Sequence, residues 1–112
     1  MATLKALKIK TGSCKRILKE LHSYEKEVDR EAAKTAAMKE KGADPYDLKQ
    51  QENVLAESRM MLPDCRKRLE SGLADLQGML AGLEKPCDDA EEIIEAKNIV
   101  KEVEALFETL PS

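Results

Sequence analysis

Between residues 48 and 83, core-type positions return at alternating steps of three and four: Leu48, Gln51, Leu55, Ser58, Leu62, Cys65, Leu69, Gly72, Leu76, Met79 and Leu83. A repeat averaging 3.5 residues predicts an α-helix packed along one seam. One of the two seam positions is always Leu, and the other is mixed. Val54, Met61, Leu73 and Leu80 widen the stripe, as expected of a helix with two neighbours. The same rhythm runs earlier through Leu7, Lys10, Cys14, Ile17, Leu21, Tyr24, Val28, Glu31, Thr35 and Met38, with Leu18 and Ala32 beside it. It returns in Ile93, Ala96, Val100, Val103 and Phe107, flanked by Ile99 and Leu106.

Two breaks separate these runs. In Lys41-Gly42-Ala43-Asp44-Pro45, Gly42 suits the left-handed residue after a helix end. Asp44 can cap the next helix, with Pro45 at its first position, where a missing N–H costs nothing. Asp47 then adds negative charge near the positive end of the helix dipole. In Lys85-Pro86-Cys87-Asp88, Asp88 with Glu91 approximates a capping box. Three helices follow, at about 3–41, 45–84 and 88–109, in one domain. Short connections make neighbours antiparallel, so the expected fold is an all-α, up-down-up three-helix bundle. Two helices near 38 residues would each be about 55 Å long at 1.5 Å per residue. The shorter third helix would leave part of the groove between them uncovered, or covered by a partner.

Two features disturb the regularity. Thr11-Gly12-Ser13 places weak helix formers where the first helix should bend or begin. Pro63 falls inside the second helix, where it removes one hydrogen bond and crowds the carbonyl of Arg59. A kink is expected there, at a local cost of about 3 kcal/mol that packing or function should offset.

Composition agrees with long helices: 37% of the 112 residues are charged, 3% are aromatic and Trp is absent. The net charge of −3 conceals a basic start. Residues 1–20 carry Lys5, Lys8, Lys10, Lys15, Arg16 and Lys19 against Glu20 alone, while the chain from Glu84 onward is acidic. Nucleic acid is a poor fit for that basic start, because no aromatic platform stands beside the lysines. A solvated helix face is the plainer account. Three cysteines, Cys14, Cys65 and Cys87, fit neither a CxxC motif nor a disulfide framework. With no signal-like or membrane-spanning run, a reducing cytoplasmic setting is expected.

No catalytic, cofactor-binding or metal-binding constellation is assembled, so an enzyme is not expected. His22, the only histidine, falls off the seam without patterned partners. Cys14 and Cys65 take seam positions and read as small buried hydrophobes. Gly72, Gly78 and Gly82 lie within a helix and form no phosphate loop. The most informative stretch is Glu57 to Glu70. There Met60 falls opposite the seam, where an unbranched apolar side chain suits a partner. A scattered surface Met, or one rotated inward by a Pro63 kink, is the alternative. Arg59 and Asp64 flank Met60 and Pro63 and could orient a partner by charge-assisted hydrogen bonds. These four residues are the candidate partner-binding patch, and Lys15, Arg16 and Lys19 are candidates for electrostatic capture.

An ordered set of short runs resembles the tubulin-binding cofactor A family of tubulin-specific chaperones. The runs are Ile9-Lys10-Thr11, Lys15-Arg16, Tyr24-Glu25-Lys26-Glu27, Tyr46-Asp47 with Lys49-Gln50, and Glu57-Ser58-Arg59-Met60-Met61 through Pro63-Asp64-Cys65. Arg68-Leu69-Glu70 and Asp75-Leu76 continue them, whereas residues 84–112 match only in character. The resemblance implies a three-helix antiparallel bundle that holds β-tubulin downstream of the cytosolic chaperonin, without catalysis, nucleotide or metal. β-Tubulin, an acidic protein, is the implied partner, with other tubulin-folding cofactors as further candidates and the cytoplasm and cytoskeleton as the setting. Monomer and homodimer both remain open. Periodicity and composition alone would favour a coiled-coil scaffold or dimerisation module.

Overall fold

In a computed structural model, residues 3–83 and 90–109 are described, and all their regular structure is helical. α1 spans Leu4–Glu40, α2 spans Pro45–Ala81 and α3 spans Glu91–Thr109. The chain is an all-α, antiparallel three-helix bundle with two long helices and one short one. Its helices divide between two compact units. One takes the chain up to Leu18 and from Lys67 onward; the other is Lys19–Arg66.

Local chemistry accounts for the ends of the long helices. The Thr3 hydroxyl accepts the Ala6 N–H at 3.0 Å, and its carbonyl accepts the Leu7 N–H at 2.9 Å, capping α1. Beyond Glu40, the Ala43 N–H donates to the Met38 carbonyl at 3.0 Å and the Gly42 N–H to that of Lys39 at 3.2 Å. This six-to-one and five-to-two pair needs a left-handed residue, and Gly42 supplies it with φ 68°. Asp44 caps α2 as expected: its carboxylate accepts the Tyr46 N–H at 3.1 Å. α3 starts three residues later than the expected capping box. Its first bonds run from the Ile93 and Ile94 N–H groups to the Ala90 carbonyl, each 3.1 Å, and Asp88 lies outside the described residues.

Thr11-Gly12-Ser13 neither starts nor breaks α1. Thr11 is buried, and its hydroxyl donates back to the Leu7 carbonyl at 2.8 Å, so the weak helix former is held inside the helix. α2 likewise runs as one helix past Pro63, whose ring lies on its exposed side.

The first unit is a three-helix bundle. Its core holds Leu7, Cys14 and Leu18 from α1, Leu69 and Leu76 from α2, and Ile93, Ala96, Ile99 and Val103 from α3. Gly72 is a packing residue here: a Cβ on it would lie 3.1 Å from Cys14 Sγ, so a side chain would press on the thiol and push it by a few tenths of an ångström. The ion pairs Lys10–Asp75 at 3.0 Å and Lys15–Glu95 at 3.5 Å tie α1 to α2 and α3 across partly exposed surface.

The second unit is an α1–α2 hairpin with a more polar seam. Leu21, Leu55 and Cys65 are buried beside Thr35, Gln51 and Ser58. Each polar group is bonded. Gln51 donates to Glu31 Oε2 at 2.7 Å, across the two helices, while Thr35 and Ser58 donate to carbonyls four residues back at 2.8 and 3.1 Å. Not all of the apolar stripe predicted for α2 is covered within this unit. Val54 and Met61, expected to widen the core face of α2, are 43% and 46% exposed.

Candidate functional site

Arg59, Met60, Pro63 and Asp64 all lie in the hairpin, within a six-residue stretch of α2, and all four are exposed. The helix is continuous there, so Met60 keeps the outward direction its position dictates, and 73% of it is exposed. This decides between the two orientations left open by the sequence: Met60 does not turn inward. Met61 follows it, and Val54 stands one heptad before Met61 on the same side of α2. Val54 and Met61 therefore share one exposed side of this helix, and Met60 is exposed about 100° round from Met61. Only Met60 was identifiable from the sequence. The other two were hidden because periodicity cannot tell a seam flanked by one neighbour from a seam flanked by two.

The basic candidates fall differently. Lys15, Arg16 and Lys19 are exposed along little more than one turn of α1. Lys15 is engaged with Glu95 of α3, and Lys19 is the first residue of the hairpin unit. Lys15 and Arg16 belong to the first unit, whereas Arg59, Met60, Pro63 and Asp64 belong to the second.

An open groove of about 730 Å³ lies on the hairpin, lined by His22, Glu25, Lys26, Val28, Asp29, Leu62 and Arg66. Its floor is apolar and its rim charged. His22 Nδ1 lies 3.2 Å from Glu25 Oε1, so these two hold one another. The Nε of Arg66 is buried without a hydrogen-bond partner among the described residues. His22 is thus exposed, as expected, but stands at the edge of a groove that the sequence did not reveal.

Other polar clusters have plainer roles. Lys8 with Glu91, Glu92 and Glu95 lines a small polar pocket where the basic start of α1 meets the acidic first turn of α3. Burial pushes the Cys14 thiol above its ordinary range; Lys10 opposes that and Asp75 adds to it. Cys14 and Cys65 are buried thiols, and Cys87 lies outside the described residues. Among the described residues no group of three or more His, Cys, Asp or Glu is placed to hold a metal ion. No helix among them is long and apolar enough to cross a membrane.

The chain is similar to tubulin-folding cofactor A of Arabidopsis thaliana, with 69% identity over 97% of each chain. The crystal structure of that plant cofactor superposes with a TM-score of 0.85 at 68% identity, covering 91% of this chain and 95% of the other. A solved structure described as a β-tubulin binding post-chaperonin cofactor superposes at 0.83 with 31% identity, covering 92% of this chain and 98% of its own. Residues 2–100 match the family described as tubulin binding cofactor A, and with this agreement of sequence and fold the chain belongs to that family.

Proposed function

We propose that this protein captures β-tubulin folding intermediates downstream of the cytosolic chaperonin and holds them by stoichiometric binding in the cytoplasm. The observation that carries this reading is the likeness to a β-tubulin binding post-chaperonin cofactor across nearly the full length of both chains. The chemistry of a holding protein agrees with it. Shielding a sticky surface requires shape, adaptable apolar contact and charge, and it requires no covalent step. The exposed Met60 and Met61 offer unbranched and polarizable contact area, and Val54 is exposed on the same helix. Arg59 and Asp64 supply charge on either side of it, and Pro63 is exposed between them. Lys15, Arg16 and Lys19 would draw in an acidic client. Release to other tubulin-folding cofactors would complete the task.

Met60→Glu tests the patch. At 73% exposure Met60 contributes little to packing, so helicity and melting temperature should stay as in the wild type. Capture of purified β-tubulin diluted from denaturant should weaken by about tenfold, the loss expected at a contact hot spot. Unchanged capture would move the interface away from this turn of α2.

A further inference from the structure

We propose that the hairpin groove around Arg66 is the seat for an amphipathic helix of the client, which docks as the third helix of the hairpin and presents a carboxylate to Arg66. This rests on the reading above that the client is β-tubulin, and it names the shape and charge of the segment bound.

The seven-residue frame supports it. In the three-helix unit, Thr11 and Leu18, one step to the side of the α1 seam, are buried at 2% and 6% exposure, and Lys15 pairs with Glu95 of α3. Lys8 lies against Glu91, Glu92 and Glu95 in the same way. That side of α1 therefore faces α3. Two heptads on from Thr11 and Leu18, the equivalent positions in the hairpin are Glu25 and Ala32; one and two heptads on from Lys15, they are His22 and Asp29. On α2, Arg66 stands one heptad before the half-buried Leu73. Glu25, His22, Asp29 and Arg66 all line the groove. The hairpin thus carries the frame positions to which a third helix is added elsewhere in this chain, while its own helices are two.

The groove also states what kind of helix fits. Val28 and Leu62 provide an apolar floor. Both belong to the seam and remain half-buried. On the rim, Glu25 is held by His22, whereas Arg66 Nε has been taken out of solvent without an acceptor. A guanidinium in that position gains most from a planar carboxylate, which accepts two of its N–H groups at once. An apolar stripe with an Asp or Glu at its edge meets both requirements.

The test uses the full-length chain and purified β-tubulin diluted from denaturant. A photo-crosslinking residue replaces Asp29 in the groove or, as a control, Lys34 on the exposed surface of α1 outside it. In parallel, affinity is measured for Arg66→Glu and Arg66→Lys. Crosslinks from position 29, and not from 34, to a helical β-tubulin segment bearing an acidic residue are expected. Arg66→Glu should lose about tenfold or more in affinity and Arg66→Lys less, with helicity retained. A folded Arg66→Glu that binds like the wild type overturns the proposal, as do crosslinks from position 29 only to a second copy of this chain. Should Arg66→Glu fold poorly, the crosslinks decide alone. If the unmodified chain captures no β-tubulin, the function itself is refuted, and that result is read in the wild-type sample without reference to the groove.

Discussion

Cys14 and Gly72 form one structural unit at the scale of single residues. The thiol occupies a core position between helices, and the glycine gives it room on α2. Burial disfavours the thiolate, so the folded chain holds the Cys14 proton more tightly than the unfolded chain does, with Lys10 only partly opposing this. A pKa raised on folding contributes stability that is fully present below the ordinary thiol range. That stability is lost as pH rises through and beyond it, because the unfolded chain then releases the proton first. The urea midpoint of the wild type should therefore fall between pH 7 and pH 10 by more than that of Cys14→Ala. Equal falls in the two would mean that the thiol ionises as easily in the folded chain as in the unfolded one.

Among elements, α2 places one repeat in two environments. Leu69 and Leu62 hold equivalent seam positions one heptad apart, yet Leu69 is fully buried in a three-helix unit and Leu62 half-buried in a hairpin. Removing three carbons at Leu69 leaves a cavity enclosed by other helices, so Leu69→Ala should cost about 3–5 kcal/mol in denaturant unfolding. Leu62→Ala, whose site is already open to the groove, should cost about half as much. Equal losses would mean that the hairpin is as tightly packed as the bundle. The same contrast explains what could be read from sequence. Seam phase was legible because the steps of three and four are set by helix geometry, and Leu7, Cys14, Leu21, Leu55, Leu69 and Leu76 are buried as that phase requires. The turn was legible because Gly42, Asp44 and Pro45 each suit one backbone position. Width was not legible: Val54 and Met61 are apolar but exposed, because the number of neighbours a helix has is a property of the tertiary fold. For the same reason the Arg66 groove was invisible. A buried, unbonded Nε is known only once the residues opposite it on another helix are known.

For the molecule as a whole, what matters is where charge is placed rather than its sum. A net charge of −3 would by itself repel an acidic client, yet six of the seven charged residues in positions 1–20 are basic. Fields of this kind act before contact, so they change association rates far more than the strength of the final complex. They also fade with salt, since the screening length is about 10 Å at 0.1 M and about 3 Å at 1 M. Lys15, Arg16 and Lys19 do not contribute equally. Lys15 is 3.5 Å from the Glu95 carboxylate, which partly cancels its field at a distance. That pair is half exposed, so breaking it should cost no more than about 1 kcal/mol of stability. Replacing all three residues with Gln should slow association with β-tubulin several-fold at about 0.01 M salt, leave dissociation nearly unchanged, and have little effect at about 1 M. Arg16→Gln or Lys19→Gln alone should each slow association more than Lys15→Gln, because the charge at Lys15 is already paired. Stopped-flow association measured across a salt series resolves every part of this. A triple variant that associates as fast as the wild type at low salt would reduce the basic start of α1 to a solvated helix face.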